Sequence, residues 1–156
     1  KELSQLCKKS ETIFIVNDDP SVAKEVDADG VHLGQEDMKR VSVREARRLL
    51  GKGKIIGVST ESVSQVESAM NDKDIDYIAY GPVFRTKVKD KCVGTANINK
   101  ILKIARKPIY FIGGITLSNI DELLGFGAKN ISLIRGITEA DDITSAAGSF
   151  RRKLDK

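Results

Sequence analysis

The sequence predicts an α/β fold built on a parallel sheet, and three observations carry that expectation. Six short apolar runs rich in β-branched and aromatic residues recur along the chain, at 13-16 (IFIV), 30-33 (GVHL), 55-59 (IIGVS), 77-81 (YIAYG), 109-113 (IYFIG) and 131-134 (ISLI). The runs are nearly continuous rather than alternating, as expected of parallel strands covered on both faces. A helix-like stretch separates each run from the next, so consecutive strands join by right-handed crossovers.

A helical tail, Glu2 to Lys8, comes first. Helices then follow the strands over Pro20–Val26, Val41–Leu50, Glu61–Asn71, Asn97–Arg106, Ser118–Leu124 and about Glu139–Leu154. Asp19 before Pro20 places a capping side chain ahead of a first-turn proline, and Ser118 with Asp121 and Glu122 resembles a capping box. In the second of these helices Val43, Ala46, Leu49 and Leu50 share one face, opposite Arg44, Arg47 and Arg48, which predicts core on one side and solvent on the other. Two architectures fit six strand-helix units: an open doubly wound sheet, or about three-quarters of a (β/α)8 barrel.

The 156 residues, 40% hydrophobic, suit a single domain over 1-156. The 26 Lys and Arg against 22 Asp and Glu leave a net charge of +4, without the aromatic interleaving of nucleic-acid surfaces, so no nucleic-acid partner is expected. No apolar run approaches the roughly 20 residues that cross a bilayer, and no leader pattern is present, so a cytoplasmic protein with no membrane partner is expected. Cys7 and Cys92 match neither a zinc nor a disulfide pattern and read as reduced bystanders.

In either architecture function gathers where the strands end. Those positions are polar: Asn17-Asp18-Asp19, Gly34-Gln35-Glu36-Asp37, Ser59-Thr60-Glu61, and Gly81-Pro82 followed by Arg85, Thr86, Lys87 and Lys89. Asp18 and Asp37 follow adjacent strands and so could share Mg²⁺, which takes one or two carboxylates and completes its shell with water and phosphate oxygens. Capping is the competing role for Asp18, Asp19 and Asp37. Gly113-Gly114 either admits a ligand to two backbone N–H groups or makes a tight turn. Arg85, Lys87 and Lys89 either neutralise a pyrophosphate or form a solvated basic loop within the long segment Pro82–Thr95, a candidate lid. His32, between Val31 and Leu33, points to the opposite face from both and reads as a hydrogen-bonded interior residue rather than a base.

Together these motifs resemble the thiamine-phosphate synthase family. The resemblance rests on IVNDDPSVAKEVDADGVHLGQED (15-37), IIGVST (55-60), DYIAYGPVF (76-84), the loop with Thr86 and Lys89, and IGGIT (112-116), in that order. It implies a (β/α)8 TIM barrel and an Mg²⁺-dependent transferase joining hydroxymethylpyrimidine pyrophosphate to a thiazole phosphate. It further implies Asn17 as a contact to the pyrimidine pyrophosphate, Asp18 and Asp37 as metal ligands, and Ser59 and Lys89 as pyrophosphate contacts and candidate catalytic residues. Thr86 resembles a contact to the thiazole phosphate, and Gly113 with Ile134 resembles its backbone cradle.

Three departures accompany the resemblance. A threonine of the family's loop is Val88 here, the serine after the last strand is Arg135, a candidate additional phosphate contact, and the first two strands of the family, with their Gln-x-Arg-x-Lys motif, have no counterpart. An upstream segment or second chain completing the barrel is therefore expected as a partner, because open sheet edges are a liability. The alternatives to the synthase are a thiazole tautomerase-like enzyme, which would require no Mg²⁺, and an inactive thiazole-phosphate-binding or regulatory protein.

Overall fold

A computed structural model describes residues 1–87 and 91–155. Helix α1 (Glu2–Lys9) precedes β1 (Ile15–Asn17), α2 (Pro20–Glu25), β2 (Gly30–Leu33), α3 (Asp37–Arg40), α4 (Val43–Leu50), β3 (Ile55–Thr60), α5 (Val63–Asn71), β4 (Tyr77–Tyr80), α6 (Ile98–Ile104), β5 (Ile109–Ile112), α7 (Ile120–Gly125), β6 (Ile131–Ser132), α8 (Arg135–Thr138) and α9 (Ile143–Leu154). All strands run parallel, and each bonds to the next in the order β1-β2-β3-β4-β5-β6. Sequential order has no reversal point, so the winding is that of a barrel rather than of a doubly wound sheet.

Period-two alternation decides which residues build the core and which face the site. Val31, Leu33, Ile56, Val58, Ile78, Tyr80 and Phe111 turn to the helices and are almost wholly buried, packed with Ala46, Val66, Ile98, Ile101, Ile120 and Leu123. The intervening residues Asn17, His32, Tyr77, Ala79, Tyr110, Ile112 and Ser132 line a cavity of about 620 Å³ on the other, concave face. Among the described residues this face has no covering layer: Ile13 and Ile134, at its two ends, are each 65% exposed.

Side-chain caps account for four of the helix starts among the described residues. Asp19 accepts from the backbone N–H groups of Ser21 (2.8 Å) and Val22 (3.2 Å), with Pro20 at the first helical position. Ser42 and Glu45 form a capping box at α4, so the helix expected from Val41 starts at Val43, and the short α3 before it was not expected. The expected capping box at Ser118 does not form: Ser118 bonds Thr116 through their hydroxyls, and α7 begins two residues later. The last helix starts at Ile143, capped by Asp142, and the short α8 precedes it.

Arg47 departs from the solvent face predicted for it. Its side chain is 12% exposed and its guanidinium donates to the carbonyls of Gly51 (3.1 Å), Lys54 and Asp74 (2.8 Å) and to Asp76 Oδ2 (2.6 Å). Asp76 Oδ2 also accepts from Ile56 N at 2.7 Å, so this cluster ties the end of α4 to the starts of β3 and β4. Among the described residues no helix is long and apolar enough to cross a membrane.

Candidate functional site

At the ends of β1 and β2 the chain presents two carboxylates to one another. Asp18 adopts a left-handed backbone (φ 71°) and its N–H donates to His32 O at 2.8 Å, which turns its side chain away from α2 and leaves the capping to Asp19. Asn17 Nδ2 donates to Asp18 Oδ1 at 2.5 Å. Asp37 Oδ2 accepts from Gly34 N at 3.0 Å, while Oδ1 takes the Arg40 guanidinium. The two carboxyls are close enough to influence each other's ionisation. Partial loss of water, then the neighbouring Asp37 carboxyl, push the Asp18 pKa up, whereas Arg40 leads the contacts that hold Asp37 below the usual carboxylate range.

This pair suits a hard divalent cation. Two like charges are brought together by backbone geometry, and among the described residues no group of three or more His, Cys, Asp or Glu side chains could hold a metal. A site of two protein carboxylates completed by water and phosphate oxygens is the arrangement Mg²⁺ accepts.

His32 and Tyr77, which line the larger cavity, belong to a hydrogen-bonded line across three strands. His32 Nδ1 lies 2.9 Å from Tyr77 Oη and Nε2 lies 2.9 Å from Ser59 Oγ. The Tyr77 ring passes over Gly57, where an added Cβ would stand 2.0 Å from its Cζ. Burial lowers the His32 pKa and raises that of Tyr77 to about 12, so the imidazole is neutral and the phenol protonated at neutral pH. Tyr110 meets Tyr77 edge-on with ring centroids 5.4 Å apart, extending an apolar floor. Gln35 braces the line from outside: its Nε2 donates to Ser59 O, and its Oε1 accepts from Gln65 Nε2 at 3.2 Å.

A second cavity of about 300 Å³ lies beyond β4, β5 and β6, lined by Thr86, Gly113, Gly114, Ile134 and Arg135 together with Arg85 and Lys87. Gly113 (φ 100°) and Gly114 (φ 65°) pack against the segment after β4, where added Cβ atoms would stand 2.3 Å from Pro82 Cβ and 2.4 Å from Arg85 O. The glycine pair thus has a turn-and-packing role independent of any ligand. Asn119 fixes the same turn, accepting from Thr116 N at 2.8 Å and donating to Gly114 O at 2.9 Å. Lys87 ion-pairs with Glu139 at 3.0 Å while remaining largely exposed.

The structure brings the expected residues together in two groups. Asn17, Asp18 and Asp37 gather at one rim, and Thr86, Gly113, Ile134 and Arg135 around the second cavity, which shares Ile112, Ser132 and Ile134 with the first. Ser59, on β3, is bonded to His32 and is in the lining of neither cavity. Val88 and Lys89 lie outside the described residues. Tyr77, Tyr110 and Glu139 were not foreseen as site residues, and Gln35 was foreseen only as one of the polar positions after β2. The two tyrosines share the inward parity of Ala79 and Ile112, a signal available from strand alternation alone.

A family model described as thiamine monophosphate synthase matches residues 1–137. The thiamine-phosphate synthase of Prochlorococcus marinus strain SARG is 39% identical over 158 residues, covering 100% of this chain and 44% of that one. That of Persephonella marina is 41% identical over 143 residues, covering 90% of this chain and 66% of that one. The chain therefore spans less than half the length of the first relative and about two thirds of the second. Among solved structures, a thiamine phosphate pyrophosphorylase from Pyrococcus furiosus superimposes with a TM-score of 0.87 at 33% identity, over 98% of this chain and 72% of that one.

Proposed function

The chain belongs to the thiamine monophosphate synthase family, and from that premise we propose that it forms thiamine phosphate from hydroxymethylpyrimidine pyrophosphate and a thiazole phosphate, releasing pyrophosphate. One observation supports this most directly. A carboxylate pair and an arginine-lined cavity lie at the carboxyl ends of the strands, and the apolar face of the larger cavity, which runs on toward their amino ends, lies between them. That is room for two phosphorylated substrates whose rings meet between their phosphates.

Asp18 and Asp37 would hold Mg²⁺, which when bound screens the charge of the pyrophosphate. Asn17 and Ser59 offer an amide and a hydroxyl to the pyrimidine pyrophosphate, and Lys89 joins them on the family resemblance. The backbone at Gly113 and Ile134, with Thr86 and Arg135, receives the thiazole phosphate. The pyrimidine methylene–oxygen bond breaks with its electron pair going to pyrophosphate, and the thiazole nitrogen lone pair forms the new C–N bond. Negative charge grows on the leaving group, so donors aimed there lower the barrier, and no general base is demanded. Tyr77 and Tyr110 keep water from the cationic methylene.

The six strands are read in the same way as units of a (β/α)8 barrel whose interior is the His32–Tyr77–Tyr110 face. Sequential winding and the unpaired outer edges of β1 and β6 among the described residues support that reading. The test of function is product analysis on the full-length protein. Thiamine phosphate is expected only when both substrates are present; saturable binding of thiazole phosphate with no product would overturn the assignment.

A further inference from the structure

Gly57 opens a gap in β3 through which Tyr77, on β4, reaches His32, on β2. The result is an ordered chain, Tyr77 Oη to His32 Nδ1 and His32 Nε2 to Ser59 Oγ, each link 2.9 Å. We propose that His32 is a positioning residue, set by the Tyr77 hydroxyl as the Nε2–H tautomer, so that it donates to Ser59 Oγ and leaves the serine proton free for an anionic ligand oxygen. The inference deepens the proposed function and rests on Ser59 as an anion contact.

A neutral imidazole has one donor and one acceptor nitrogen, so the two links are coupled. If Ser59 gave its proton to Nε2, Nδ1–H would donate to Tyr77 and the serine would face the ligand with lone pairs alone. A phosphate oxygen only accepts, and that arrangement would repel it. In the opposite arrangement the phenol donates to Nδ1. A phenol is the stronger acid and the better donor to an imidazole nitrogen than an aliphatic hydroxyl. Burial raises the Tyr77 pKa and keeps that proton in place. Nε2–H then points at Ser59, whose own hydrogen is left to rotate toward a ligand. The second-neighbour partner of a ligand thereby fixes its orientation, as outer-shell groups do at metal-bound imidazoles.

His32 is the only histidine of the 156 residues, and loss of its signals in His32→Gln assigns its imidazole ¹⁵N shifts in the full-length protein at neutral pH. A pyridine-type Nδ1 and a pyrrole-type Nε2 are expected; a protonated Nδ1, whether in the other tautomer, an even mixture or the imidazolium, overturns the inference. Kinetics give the second arm. Tyr77→Phe should lower kcat about tenfold, the scale of one aligned hydrogen bond, with little change in KM for thiazole phosphate. In a Ser59→Ala background the same substitution should cost almost nothing further. An equal loss in both backgrounds would show that Tyr77 acts without Ser59 and would overturn the inference. Should the protein prove inactive, the proposed function falls, while the ¹⁵N shifts still decide the tautomer.

Discussion

Lys87 Nζ lies 3.0 Å from Glu139 Oε2, joining the segment after β4 to the residue after α8 across the smaller cavity. Both side chains are at least half exposed, so the pair adds little stability. Its consequence is for binding, because Glu139 engages a cation that otherwise faces a phosphate-sized space. Glu139→Gln should tighten thiazole phosphate binding by up to about fivefold, the range of an exposed ion pair, and Lys87→Ala should weaken it. Calorimetric titration at low and high salt checks both, with the differences shrinking as salt rises.

The carboxylates at the other rim separate into ligand and cap. Asp18→Asn or Asp37→Asn should weaken Mg²⁺ binding by at least about tenfold, read as a rise in the Mg²⁺ concentration needed for half-maximal activity. Asp19→Asn should leave that concentration unchanged, since asparagine caps a helix as well as aspartate does. A parallel loss in all three variants would contradict the division of roles.

Gly113→Ala meets two obstacles, a backbone at φ 100° and a Cβ 2.3 Å from Pro82 Cβ. The left-handed conformation alone costs about 1–3 kcal/mol for a non-glycine residue, and the overlap adds to it. Gly51→Ala shares a positive φ (88°) but opens into free space, so it should lose less. Urea unfolding of the two variants, compared at equal m-value, measures the difference.

Asp27 is held at a pKa of about 2 by Lys54 and Lys8, whose ammonium groups lie 2.7 Å and 2.6 Å from its two oxygens. The unfolded chain returns it to about 3.9. A depressed carboxylate stabilises the fold above the unfolded pKa and ceases to do so as pH falls through the folded one. The stability gap between wild type and Asp27→Asn should therefore be constant from neutral pH down to about 4 and close toward about 2.

Much of the architecture was legible because strand alternation and crossover geometry are local constraints with global consequences. All six strands formed where the apolar runs stood, and Asp19-Pro20 capped its helix as its chemistry requires. What escaped was tertiary. Arg47 has the helical phase of a solvent residue, yet the carbonyls at Gly51, Lys54 and Asp74 draw it in, and only the fold brings those together. Arg47→Ala should thus destabilise by about 2–3 kcal/mol through orphaned polar groups, whereas Arg44→Ala should stay within about 0.5 kcal/mol. Thermal unfolding separates them. In the site, Asp18 and Asp37 were legible as residues after adjacent strands, but the Tyr77–His32–Ser59 line was not, because it depends on an absent side chain at Gly57.

The measurement that bears most directly on the proposed chemistry is pyrophosphate release by the full-length protein from hydroxymethylpyrimidine pyrophosphate, with and without thiazole phosphate, in Mg²⁺ and in EDTA. Release that requires the thiazole phosphate, matches thiamine phosphate mole for mole and stops in EDTA is the predicted result. Release independent of the second substrate, or turnover undiminished by EDTA, would contradict a two-substrate site organised around Asp18 and Asp37.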